Sequence, residues 1–157
     1  VPAELQDGLV GAPDAITFVV VGLPAPQGSK RHVGNGVMVE SSKAVKPWRQ
    51  DVKHAALLKV PNGWDRSGAM ALTVSFRFRR PKGHYGTRGL KPSAPVWNVS
   101  GRCGDLSKLV RATEDALTGV VWDDDRQVTT TAACKRWCIG EEPAGAVITV
   151  VRLRGRV

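Results

Sequence analysis

Asp105-Leu-Ser-Lys-Leu-Val-Arg-Ala-Thr-Glu-Asp-Ala-Leu117, then Thr118-Gly119, then Val120-Val-Trp-Asp-Asp-Asp-Arg-Gln-Val128 is the stretch on which the fold turns. Leu106, Leu109, Val110, Thr113 and Leu117 recur at three- and four-residue spacing, which places them on one stripe of a helix over 105–117. Asp105 stands where an N-cap or first-turn acid meets the positive helix end. Thr118-Gly119 stops the helix. Val120 to Trp122 and Gln127 to Trp137 read as strand, interrupted by the aspartate triplet.

The spacing carries a geometric expectation. The helix covers about 18 Å at ~1.5 Å per residue. An extended chain from Thr118 to Asp125 covers up to about 23 Å. If the chain reverses at Thr118-Gly119, the triplet returns to the N-terminal end of the helix and two sources of carboxylate meet there. Hard oxygen ligands beside free backbone N–H groups suit Mg²⁺ and a phosphate together. In an extended stretch Asp123 and Asp125 point one way and Asp124 the other, so at most two of the three reach one ion.

Outward from this stretch, Ile16 to Gly22 reads as a buried strand. Leu23-Pro-Ala-Pro-Gln-Gly-Ser-Lys-Arg-His32 reads as a basic, turn-rich loop, and Gly34-Asn-Gly36 as a turn before a short strand, Val37 to Glu40. Pro47 opens a helix from Trp48 to Leu58. Met70 to Arg79 alternates apolar and polar residues, as a strand with one buried face does. Residues 80–100 read as a long loop carrying Lys82, Arg88 and Lys91, and Ala146 to Leu153 as a last strand. Strands with two helices interleaved predict one α/β (α+β) domain over 15–157, a mixed sheet with two main helices packed on it. A mobile tail is expected over 1–14.

The whole chain narrows the function. Its 157 residues, 42% hydrophobic and 24% charged, suit one soluble globular domain. No apolar run reaches the length of a membrane helix, and the start shows no signal-peptide pattern, so a cytoplasmic protein is expected. Lys and Arg outnumber Asp and Glu by 23 to 14, giving +9. Such a surface attracts polyanions by releasing their condensed counterions, which makes nucleic acid the leading partner. Yet six of the 14 acids fall between Asp105 and Asp125. A carboxylate cluster in a basic protein suggests a divalent cation held against phosphate, or else a helix cap and an acidic turn. Cys103, Cys134 and Cys138 make no disulfide framework. The spacing of Cys134 and Cys138 lacks a second zinc-type pair, so buried free thiols are expected.

The central segment resembles the signature of the RusA-type Holliday-junction resolvases, roughly D-x-D-N-x-x-K-x-x-x-D-x-L, a short gap, then D-D-x-Q-V. The match spans about 25 residues. The upstream Pro-Gln-Gly-Ser-Lys-Arg and the strand with Lys135 fit more loosely. The resemblance implies a homodimeric, Mg²⁺-dependent endonuclease of phage or prophage type that cuts four-way DNA junctions in recombination and repair. By position, Asp105 matches the first signature aspartate, and Asp124 and Asp125 the D-D pair, with Asp125 the metal-binding member. Arg111 stands at the catalytic lysine and keeps its charge. Asp115 matches the second helix aspartate and reads as structural, about 15 Å along the helix from Asp105.

One position departs from the pattern. Ser107 replaces the second signature acid, and Lys108 follows in place of Asn. A site lacking one carboxylate holds Mg²⁺ more weakly. Another acid can supply the ligand, Glu40 being the candidate. Asp105 and Asp125 can suffice alone. Or the chain is a non-catalytic protein of the same fold that binds branched DNA without cutting it. Lys30, Arg31, Lys108, Arg111, Lys135 and Arg136 are the expected DNA contacts. The five tryptophans read mainly as core or dimer anchors, with wedging or base stacking as the alternative.

Overall fold

The computed structural model describes residues 13–155 apart from 29, 33, 36–37 and 41–42. Most of the expected tail, residues 1–12, lies outside the described residues. Ten elements follow in order: β1 (Ala15–Val21), β2 (Lys30–His32), β3 (Met38–Glu40), α1 (Val45–Lys59), β4 (Met70–Phe78), β5 (Tyr85–Gly86), β6 (Gly89–Leu90), α2 (Leu106–Leu117), β7 (Val128–Trp137) and β8 (Gly145–Arg152).

The main sheet is mixed, as expected, with spatial order β1-β8-β4-β7. β8 runs antiparallel to both β1 and β4, while β4 and β7 are parallel and joined through α2. Alternation decides which face is covered. Ile16, Phe18 and Val20 of β1, Met70, Leu72, Val74 and Phe76 of β4, and Ile148 and Val150 of β8 are buried in one core. With them are buried Val45, Trp48, Val52 and Ala56 of α1 and Leu109, Ala112, Ala116 and Leu117 of α2. Two helices therefore cover one face of the sheet. At their contact the indole N–H of Trp48 donates to the Thr113 hydroxyl at 3.3 Å, which also donates to the Leu109 carbonyl. That pairing satisfies polar groups shut away from water.

Four expectations need correction. Lys30–His32, read as loop, pairs with Met38–Glu40 as a small antiparallel ribbon, because Gly34 and Asn35, both at positive φ, turn the chain between them. The first helix begins at Val45, a turn earlier than expected, and buries Val45, Trp48, Val52 and Ala56 while Leu58 is exposed. Residues 80–100 contain the short hairpin of β5 and β6. Val120 to Trp122, expected as strand, lie in a tight turn. The Gly119 amide donates to the Trp122 carbonyl, and the apolar side chains plug the core below α2.

Candidate functional site

Asp105 is the N-cap residue of α2, and its carbonyl accepts from the Lys108 and Leu109 amides. Its carboxylate makes no capping bond, which sets aside the reading in which it only caps the helix. It is largely exposed, 3.9 Å from the Lys108 ammonium. Two features hold this corner. The Lys135 ammonium donates to the Gly104 carbonyl at 2.6 Å and to the Ser100 carbonyl at 3.3 Å. Gly104 has φ +86, and a Cβ there would lie 2.5 Å from Pro26. Only glycine allows both that conformation and that approach. The loop preceding Lys30 and Arg31 thus packs directly against the residue before Asp105, and the Gln27 amide donates to the Lys108 carbonyl.

The aspartate triplet divides by role. Asp123 pairs with Arg66 at 3.2 Å. Asp124 opens a 3₁₀ turn over Asp125–Gln127, its side chain accepting from the Arg126 amide while the Gln127 side chain accepts from the Asp124 amide. Asp124 is thus a capping residue. The Asp125 side chain is exposed and makes no hydrogen bond or ion pair among the described residues, while its carbonyl accepts from the Val128 amide.

The expected return of the triplet to the N-terminal end of α2 does not occur. The Gln127 amide group donates to the Arg66 and Gly68 carbonyls, just below β4. Gly104 is tied to Lys135, and from Val128 to Lys135 β7 rises about 23 Å. Asp105 and Asp125 therefore flank opposite ends of α2. The turn at Gly119–Trp122 is compact where an extended return was required. Among the described residues no three His, Cys, Asp or Glu side chains gather as a metal site. Oxygen donors of the right type for Mg²⁺ are present, but one chain does not bring Asp105 and Asp125 onto one ion.

Glu114 is the residue that sequence reasoning missed. Ser107, Arg111 and Glu114 lie at i, i+4 and i+7, one stripe of α2. Burial raises the Glu114 pKa, as do the charges of Asp125 and Asp115, with Arg111 opposing. The helical spacing was the available signal. An acid that is more basic when folded keeps more protons than the unfolded chain from about its unfolded value, 4.5, upward, so stability falls as pH rises through that window. Glu114→Gln is therefore expected to raise the urea midpoint at pH 7 and to leave it unchanged near pH 4. A gain of equal size at both pH values excludes titration as the cause.

The remaining expected site residues fall out as follows. The Arg111 side chain is exposed, with no hydrogen bond or ion pair among the described residues. Asp115 pairs with Arg49 at 3.1 Å and ties α2 to α1, a structural role. Arg136, expected to face DNA, forms a two-pronged pair with Glu142 at 2.7 and 2.8 Å. The side chains of Lys30, Arg31 and Glu40 lie outside the described residues. Cys134 and Cys138 are free thiols. Cys138 is buried and Cys134 only partly so. Burial and the Glu142 charge raise the Cys138 pKa, which keeps it an inert thiol.

No curated protein matches this chain. The family model described as "Endodeoxyribonuclease RusA" matches residues 22–151 of the 157. That span takes in β4, β7 and all but the last residue of β8 from the main sheet, both helices, the Asp105 corner and the Asp125 turn, and begins just after β1. The chain belongs to the RusA endodeoxyribonuclease family.

Proposed function

We propose that the protein is a structure-specific endonuclease that resolves four-way DNA junctions as a homodimer. The observation that carries this reading is the pair of exposed carboxylates, Asp105 and Asp125. Neither is used by the fold, and both stand at signature positions on a strongly basic chain. A two-fold dimer suits a two-fold junction, since symmetric sites can cut symmetric strands. Arg111, Lys108 and the Lys30-Arg31 ribbon are assigned to the phosphate backbone, with Arg111 offsetting charge that builds up on the phosphate during hydrolysis. Lys135 acts indirectly, by holding the Gly104 carbonyl and so the Asp105 corner.

Mg²⁺ enters from the family resemblance. When bound, such an ion supplies positive charge to the phosphate and favours deprotonation of water. Because the two carboxylates stay apart within one chain, no step is assigned to it. The test is cleavage of a synthetic four-way junction with and without Mg²⁺. Ion-dependent paired nicks support the reading. Intact binding with no product under either condition supports the second reading, a junction-binding protein. That alternative is favoured by Ser107, whose neutral oxygen replaces a carboxylate.

Charge predicts the form of binding in either case. Six phosphates neutralised give a log–log slope of affinity against salt of about −5 on duplex arms. A slope flatter than about −2 would remove polyanion binding as the basis of affinity.

A further inference from the structure

The five tryptophans divide sharply. Trp48 and Trp122 are fully buried, and Trp64 and Trp137 are less than a tenth exposed, but Trp97 is 61% exposed. Trp97 is not on a loose loop. It bridges to Arg136, the Trp137 amide donates to the Val96 carbonyl, and the Asn98 amide donates to the Lys135 carbonyl. The Ser100 amide donates to the side chain of Asn98, which is 2% exposed. Trp97 and Val99, both exposed, line one cavity, and contiguous exposed apolar surface of that kind marks a binding site.

Trp97 lines a cavity of about 550 Å³. Trp137 forms an inner wall, braced edge-on by the His84 ring at 5.2 Å. Arg79 and Arg102 stand on the rim, exposed, and neither has a hydrogen bond or ion pair among the described residues. Cys103, in the same wall, is two residues from Asp105, a reach of at most about 7 Å along the chain. An aromatic face between two unpaired cations suits a flat ring carrying a phosphate. The size suits one small ligand.

We propose that this cavity receives one unstacked nucleobase, with Arg79 and Arg102 on its flanking phosphates, and so positions the DNA strand beside Asp105. The proposal rests on the endonuclease reading and adds to it a base-binding site. A branch point supplies such a base at low cost, because its stacking is already interrupted, whereas a continuous duplex must be opened. The cavity therefore gives the protein a means of preferring branched over continuous DNA.

The test uses the full chain and four-way junctions carrying 5-iodouracil at successive nucleotides around the branch, cross-linked by light and mapped by mass spectrometry. Cross-linking to Trp97 is expected from one nucleotide position at the branch, and far less from a continuous duplex of the same sequence. Trp97→Ala should lose that cross-link and bind the junction about tenfold more weakly, while duplex affinity stays level. Trp97→Phe should restore most of the affinity, which a folding defect would not allow. Arg102→Ala, on an exposed side chain, should weaken junction binding and make its log–log salt slope shallower by about one, at no cost in melting temperature. Normal cutting together with unchanged junction preference in Trp97→Ala overturns the cavity and leaves the endonuclease standing. A parent protein that cuts no junction, yet cross-links to a short single-stranded oligonucleotide through Trp97, keeps the cavity and overturns junction cleavage.

Discussion

Asp125→Asn is expected to reduce junction cleavage by at least about 10²-fold, the loss typical when one charge-stabilising group leaves a hydrolytic site. Junction affinity should hold or rise slightly, because a negative charge has left a DNA-binding surface. Asp125 suits this test because no fold contact is lost with it. Asp124→Asn, by contrast, weakens the cap of the 3₁₀ turn and perturbs the site through its shape. Asp105→Asn should match Asp125→Asn, since its carboxylate is equally unused in capping. Single-turnover cleavage alongside a binding titration separates the effects. A variant at Asp125 that cuts at the parent rate would remove that residue from the chemistry.

Glu142→Gln is expected to cost about 2 kcal/mol of stability at pH 7, as when the charge-assisted hydrogen bonds of a partly buried pair are lost. Glu142 holds two arginines. Arg136 binds it through both prongs, and the Arg77 guanidinium lies 3.9 Å away. Arg77 is only 7% exposed, and its Nε and Nη2 have no hydrogen-bond partner. Without Glu142 a buried cation loses its counter-charge. Hydrogen bonds from Arg136 and from the Ile139 amide, with the charges of both arginines, hold Glu142 at about 2, against 4.5 for an ordinary glutamate, although burial opposes them. A carboxyl with a depressed pKa stabilises the fold above its unfolded value. The gap between parent and variant should therefore be full above about pH 5 and shrink as pH falls from 4.5 towards 2. Urea unfolding across that range is the measurement. A gap under about 1 kcal/mol, or one flat with pH, would show that solvent screens the pair.

Periodicity made α2 and β4 legible, because each buries one face against the same core, whereas β7, at the sheet edge, buries only Trp137. It misled at Val120-Val121-Trp122, where an apolar run of strand length instead fills the space beneath a helix end. The start of α1 was hidden because Ala44 offers no capping side chain and the stripe beginning at Val45 includes the polar-flanked Trp48. The signature residues were legible as residues and not as an arrangement. Spacing permitted Asp125 to return to Asp105, and the compact turn at Gly119 prevents it. Arg136 looked available to DNA because nothing local marks Glu142, six residues on beyond a turn, as its partner. Trp97 sat in a stretch without periodicity, where only its pairing with β7 reveals a pinned, exposed ring.

β8 comes last among the strands in chain order, yet it stands between β1 and β4. During synthesis β1 emerges early and has no neighbour in the main sheet until residues 145–152 leave the ribosome. Its alternating apolar side chains, Ile16, Phe18 and Val20, wait for that interval. The half-made chain is thus an open-edged sheet fragment, prone to pair with other nascent chains. Closure by a strand some 130 residues distant makes the final assembly slow and all-or-none. A protease cut just before β8 would consequently remove the middle of the sheet rather than its margin, and unfold both halves together.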